Sequence, residues 1–173
     1  MNTANAVLAR WNELTAEAAA REVLPCCGST AWAAGVAARR SFADAQELFA
    51  ASDAVWAGLA ESDWREAFDS HPRIGQSHAQ AATAESLAWS SEEQRRATSP
   101  DESAKLALAA ANRQYEERFG RIFIVCASDK SAAEVLAILE RRMKNSAAAE
   151  MLEAAEQQRQ ITQLRLRRWL GVN

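Results

Sequence analysis

In a chain of 173 residues a single run reads as a β-strand, Arg121-Ile122-Phe123-Ile124-Val125-Cys126-Ala127, rich in β-branched and aromatic side chains. One strand has no ladder to join. If this run is buried, its amides and carbonyls must be met by nearby side chains or by a polar ligand, because buried main-chain groups almost always find partners. The rest of the chain is written for helix. Hydrophobic residues make up 49%, alanine the most frequent, with only six glycines and three prolines as breakers. The expectation is an all-α, single-domain bundle of about eight helices with one short extended segment near 121–127.

Periodicity and caps place those helices. Val7, Leu8, Trp11 and Leu14 share a face of a short first helix, and Thr15 caps a second that runs to Leu24 and stops at Pro25. A turn follows at 26–30, then helix over 32–38. Leu48, Phe49, Val55, Trp56 and Leu59 form an apolar stripe over 44–59. Trp64, Ala67 and Phe68 fall at helical spacing in a segment capped by Ser62 or Asp63 and ended by Pro72. Residues 76–88 are polar and alanine-rich without a clear period, which predicts a surface loop. Further helices are expected over 101–119 with Gly120 as C-cap, over 131–143 and over 147–170.

Twenty basic against 23 acidic residues give a net charge of −3, so no basic balance favours nucleic acid. For most of the arginines at 39–40, 95–96, 141–142 and 165–168, a solvated helix face is the expected setting. Cys26, Cys27 and Cys126 show no metal-ligand spacing, and their odd number argues against a disulfide framework, which fits a reducing cytoplasm. No basic start followed by an apolar run opens the sequence, no stretch approaches a membrane span, and Leu170-Gly171-Val172-Asn173 does not read as a peroxisomal or retention address.

Three places could carry chemistry. His71 stands at a helix end against Pro72, which pushes the preceding residue toward extended geometry and stiffens the turn; Arg73 lies beside it and Gly75 lets the chain bend. Ser90-x-x-Glu93 fits a capping box. Alternatively, the same helix start presents Ser90, Glu93 and Gln94 to a ligand, Gln94 offering a donor and an acceptor to a urea or amide edge. Arg165 falls on the inward stripe Leu152, Ala155, Gln158, Ile161, Thr162, Arg165, Trp169, where it needs a carboxylate from protein or ligand.

Taken in chain order, Cys26-Cys27-Gly28-Ser29 before Trp32, Ala67-Phe68 leading into His71-Pro72-Arg73-Ile74-Gly75, Ser90-x-x-Glu93-Gln94, Asn112-x-x-Tyr115, Phe119-Gly120 with Phe123-Ile124-Val125-Cys126-Ala127, and Ile161-x-x-Leu164-Arg165-Leu166 resemble the 2-oxo-4-hydroxy-4-carboxy-5-ureidoimidazoline (OHCU) decarboxylase family of purine catabolism. The resemblance covers nearly the whole chain. It departs after Gln94, where Arg95-Arg96 stand in place of small residues.

That resemblance implies an all-helical homodimer without cofactor or metal that converts OHCU, its small-molecule substrate, to (S)-allantoin. It makes His71 the proton donor, with Glu93 also catalytic and Pro72 shaping the same wall. Ser90, Gln94 and Arg165 would bind the substrate, and Phe123, Ile124, Val125, Cys126 and Ala127 would offer it main-chain hydrogen bonds. The contrasting expectation is a helical module that binds a ligand or partner without turning it over.

Overall fold

The computed structural model describes residues 3–74, 82–95, 97 and 102–172. Among these, nine helices follow one another: α1 (Thr3–Asn12), α2 (Ala16–Cys27), α3 (Thr30–Ala37), α4 (Ala45–Ala57), α5 (Glu61–Asp69), α6 (Ala84–Glu93), α7 (Glu102–Phe119), α8 (Ala132–Arg142) and α9 (Ala147–Leu170). No strand occurs among the described residues, and 122–127 runs irregularly between α7 and α8. The all-α expectation holds.

Local chemistry sets most of the boundaries. Thr15, Ser29 and Asp44 each accept the amide three residues on, at 3.2, 3.2 and 3.0 Å, and so satisfy donors that a helix start leaves open. Ser131 and Glu134 form a reciprocal capping box at the start of α8. Gly120 ends α7 at φ 67°, a left-handed conformation that suits glycine.

Several expectations need correction, three of them here. The second helix does not stop at Leu24, because Pro25 lies inside α2 and the helix continues to Cys27. Pro25, Cys26 and Cys27 are all buried, and that packing carries the chain past the bond proline cannot make. Gly28, at φ 89°, closes the turn by donating to the Leu24 carbonyl at 2.7 Å. The loop expected over 76–88 is helical from Ala84, with Thr83 as N-cap. Leu152, placed on the inward stripe of the last helix, is instead 63% exposed. The bend at Gly75, residues 76–81 with His78, and Arg96 lie outside the described residues.

The chain divides into two compact units, one of Met1–Ala67 with Arg159–Asn173, the other Phe68–Gln158. In the first, α2 packs on α3, α3 on α4, and α1 on α4. Trp11 is fully buried, stacked on Phe42 at 6.1 Å between centroids and edge-on to Trp169 at 5.7 Å. Its indole nitrogen donates to the Ala19 carbonyl at 3.0 Å. Trp32 is buried with its indole nitrogen on Ser52 Oγ at 3.3 Å. Burying an indole removes roughly 200 Å² from water, about 5 kcal/mol as an upper bound, so these rings hold the unit together.

In the second unit α7 packs on α8. Its core joins Ile74, Ala97, Leu108, Tyr115, Phe123, Val125, Ala127, Val135 and Leu139. The irregular 122–127 stretch thus contributes alternate side chains, Phe123, Val125 and Ala127, to that core, a strand-like alternation without a partner strand.

Candidate active site

His71 follows α5 in a tight turn, its amide donating to the Phe68 carbonyl at 3.0 Å. The ring is 9% exposed, and Ser70, Pro72 and Ile74 around it are buried. Both flanks are pinned. The Arg121 guanidinium lies 5.8 Å from the Phe68 ring centre and 5.6 Å from that of Tyr115. Arg73 grips Glu116 of α7 in a two-bond fork, Nε to Oε1 at 2.5 Å and Nη2 to Oε2 at 2.7 Å. That pair is exposed, so it contributes at most about 1 kcal/mol. Its effect is to fix where the turn carrying His71 meets α7.

Ser90 and Glu93 are not a helix start. Thr83 Oγ1 accepts the Ser86 amide at 3.1 Å and begins α6, which places Ser90 and Glu93 in its last turn. Neither the capping box nor a ligand at this helix N-terminus applies to them. The buried side of α6 is instead formed by Ser86, Ser90 and Glu93, at spacings of four and three residues. A helix normally buries its apolar face. Here the inward face is polar and carries a carboxylate that is 9% exposed, which makes it a candidate site. Gln94 follows as the half-buried C-cap.

The 123–127 segment resolves the question of its backbone partners in part. Gln157 Oε1 accepts the Cys126 amide at 3.0 Å, and Lys130 Nζ donates to the Cys126 carbonyl at 2.7 Å. The Ile124 carbonyl accepts from Arg142 Nη1 at 2.7 Å, and that of Ala127 from the Lys130 amide at 3.0 Å. Side chains thus take several of the groups expected to serve a ligand, the Cys126 amide among them. Among the described residues the main chain of Phe123 and Val125 makes no hydrogen bond.

Electrostatics ties α6 to this segment. Burial pushes the Cys126 thiol up; the Lys130 ammonium and hydrogen bonds with Ser128 work against that rise, while the Glu93 charge adds to it. The Glu93 charge is thus felt at the Cys126 thiol.

Arg165 belongs to the other unit. It is fully buried, and its Nη1 donates to the Pro25 carbonyl at 3.3 Å. Burial pushes the Cys27 thiol up to about 12; hydrogen bonds with Ser29 and Thr162 and the Arg165 charge temper the shift, and the Glu66 charge adds to it.

Sequence reasoning missed the support beneath the extended segment. Arg142, expected among solvated arginines, is 1% exposed and forms an ion pair with fully buried Glu150 at 2.5 Å. Tyr115 Oη donates to Glu150 Oε1 at 2.5 Å and Asn145 Nδ2 to Oε2 at 2.8 Å. Burial acts to raise the Glu150 carboxyl, but these bonds and the Arg142 charge outweigh it and hold the group below its ordinary value. The available signal was weak, a capping residue (Ser146) starting a helix with Glu150 in its first turn. Among the described residues no group of three or more His, Cys, Asp and Glu side chains could hold a metal ion.

Fold and site together define an all-helical chain whose second unit buries a histidine, a carboxylate on a polar helix face, and a main-chain segment only part of whose groups are hydrogen-bonded. The chain belongs to the OHCU decarboxylase family, whose model matches residues 12–167. It is 34% identical over 142 residues to the "Uric acid degradation bifunctional protein TTL" of Arabidopsis thaliana, a match covering 82% of this chain and 44% of that protein. A 2-oxo-4-hydroxy-4-carboxy-5-ureidoimidazoline decarboxylase of Amia calva is 44% identical over 55 residues, covering 32% of this chain and 31% of the relative. These matches span less than half the length of either relative. A crystal structure of OHCU decarboxylase in the presence of (S)-allantoin superimposes with a TM-score of 0.73 at 32% identity, covering 86% of this chain and 96% of that one. One of (S)-allantoin synthase shares the fold, with a TM-score of 0.70 at 16% identity over 96% of this chain and 53% of the other.

Proposed function

We propose that this protein decarboxylates OHCU to (S)-allantoin, with His71 delivering the proton. The observation that carries the proposal is the inverted face of α6, which buries Ser90 and Glu93 and sets the Glu93 charge against the 123–127 segment. Family membership supplies the substrate class.

The chemistry sets the tasks. The bond between the hydroxyl-bearing ring carbon and its carboxylate breaks, CO₂ leaves, and the electron pair forms a double bond to the neighbouring ureido-bearing carbon, whose C=N passes its own pair to nitrogen. No further electron sink is required, so the proposed reaction is cofactor-free. Glu93 beside the departing carboxylate disfavours the charged ground state. An imidazolium at His71 then donates its proton to the ureido-bearing carbon, while the hydroxyl proton passes to the ring nitrogen and its carbon becomes a carbonyl; such donation suits the side chain that exchanges protons near neutral pH. Delivery from one fixed side gives one configuration. Pro72 walls the site, Ser90 and Gln94 bind the ureido and ring edges, and the main chain of Phe123, Ile124, Val125, Cys126 and Ala127 aligns the ring. For Cys126 the proposal requires its amide to exchange Gln157 for the substrate. Arg165 is assigned to the substrate's polar groups on its family motif.

The proposal extends to a homodimer in the cytoplasm and to one domain spanning 1–173. The family resemblance supports the first and the last, and the odd number of cysteines, without metal-ligand spacing, supports the location. Among the described residues no helix is long and apolar enough to cross a membrane. His71→Asn tests the assignment: turnover of freshly generated OHCU should fall to the spontaneous rate in a folded protein, and full turnover would remove His71 from the mechanism.

A further inference from the structure

Arg142 and Glu150 form a charge pair with side chains 1% and 0% exposed, and the proposed chemistry uses neither. Their geometry has a direction. Arg142 spends Nε and Nη2 on Glu150 Oε1, at 2.9 and 2.5 Å, and its remaining Nη1 reaches the Ile124 carbonyl at 2.7 Å. Its guanidinium carbon also lies 4.7 Å from the Phe123 ring centre. Glu150 is held in turn from two further sides by Tyr115 and Asn145. A planar fork with one arm on a fixed carboxylate and the other on a peptide carbonyl sets the height and rotation of that peptide. The peptide groups set in this way flank those of Phe123 and Val125, which make no hydrogen bond among the described residues.

We propose that Arg142 and Glu150 are positioning residues that hold the 123–127 segment in the register its main chain needs to bind substrate. This rests on the assignment of that segment to OHCU binding. A buried ion pair is weak support for stability, since apolar or neutral replacements of similar volume are often neutral. Its value here lies in placing one carbonyl.

The test separates the two roles. Arg142→Met with Glu150→Gln removes both charges together, nearly keeps the volume, and leaves one acceptor oxygen for the Tyr115 hydroxyl, while the Ile124 carbonyl loses its donor. Arg142→Lys keeps the charge but cannot make the fork. Melting temperature, KM and kcat for OHCU, and deuterium uptake across 121–127 are measured for each. The double variant should fold with a melting temperature lowered by about 3–8 °C, from the Ile124 carbonyl left without its donor, and should raise KM about tenfold with kcat within about threefold, the signature of lost uniform binding. Uptake at 121–127 should quicken about tenfold while the helices keep their protection. Arg142→Lys should fall between.

A folded double variant with wild-type KM overturns the proposal, as does a loss confined to kcat. If neither variant folds, the pair is a requirement of the fold and the positioning role is wrong. A wild type that does not turn over OHCU defeats the proposed function instead, and deuterium uptake then decides alone whether the pair sets the segment.

Discussion

Tyr115→Phe tests the buried network by the smallest change. The phenol oxygen donates to Glu150 Oε1 at 2.5 Å, in a position with no exposure to solvent. A hydrogen bond to a charged group is worth about 1.5–3 kcal/mol. Glu150 keeps its bonds from Arg142 and Asn145 in the variant, so the lower part of that range, about 1.5–2 kcal/mol, applies. Unfolding entropy of about 2.1 cal/mol/K per residue over 173 residues converts this to a fall in Tm of about 4–6 °C at pH 7.

The pH dependence fixes the sign. The Glu150 carboxyl is held below its ordinary value in the folded state, so its contribution is present above the unfolded pKa of about 4.3 and is lost as pH falls through the folded value. The Tyr115 phenol is pushed up, first by burial and then by its bond to Glu150, so it stays a donor throughout that range. Tyr115→Phe lets the Glu150 carboxyl drift back toward its ordinary value. The gap between wild type and variant should therefore be widest near neutrality and shrink below about pH 4. Thermal melts by circular dichroism at pH 7 and pH 3.5 measure it. A fall below 1 °C at pH 7, or an equal gap at both pH values, would refute the network's energetics.

The remaining tests are local. Thr83→Ala removes the cap that starts α6 and should cost about 1 kcal/mol in urea unfolding, with Thr83→Asn restoring most of it; no change would mean that α6 starts elsewhere. The Cys27 thiol, pushed up to about 12 by burial, is overwhelmingly protonated at pH 8, so iodoacetamide should leave it unmodified in the folded protein and label it only after denaturation. Labelling of Cys27 at the rate of an exposed thiol would contradict its placement.

Much of the helical framework was legible because caps are local. Thr15, Asp44 and Ser131 each bind an amide three residues ahead, a pattern written in contiguous sequence. The start of α6 escaped because its buried face is Ser86, Ser90 and Glu93, and a search for apolar period passes over a face built of polar groups. That failure points to the site, since a rule of packing is broken where function has a use for the space. Pro25 misled because proline's local cost was outweighed by burial of Pro25, Cys26 and Cys27. His71 was singled out by its place between a helix end and Pro72, beside Arg73, and the structure buries it in that turn. The extended run was recognised, but its partners were not: Gln157 is 31 positions from Cys126 and Arg142 is 18 from Ile124, and no period connects them.

The central claim is stereochemical, one proton delivered to one face from His71. Freshly generated OHCU is mixed with the wild type and with His71→Asn, and the circular dichroism of the allantoin formed is followed with time. The account predicts rapid appearance of (S)-allantoin with the wild type, and slow racemic product at the spontaneous rate with the variant. A racemic product from the wild type, or (S)-allantoin at full rate without the imidazole, would contradict it.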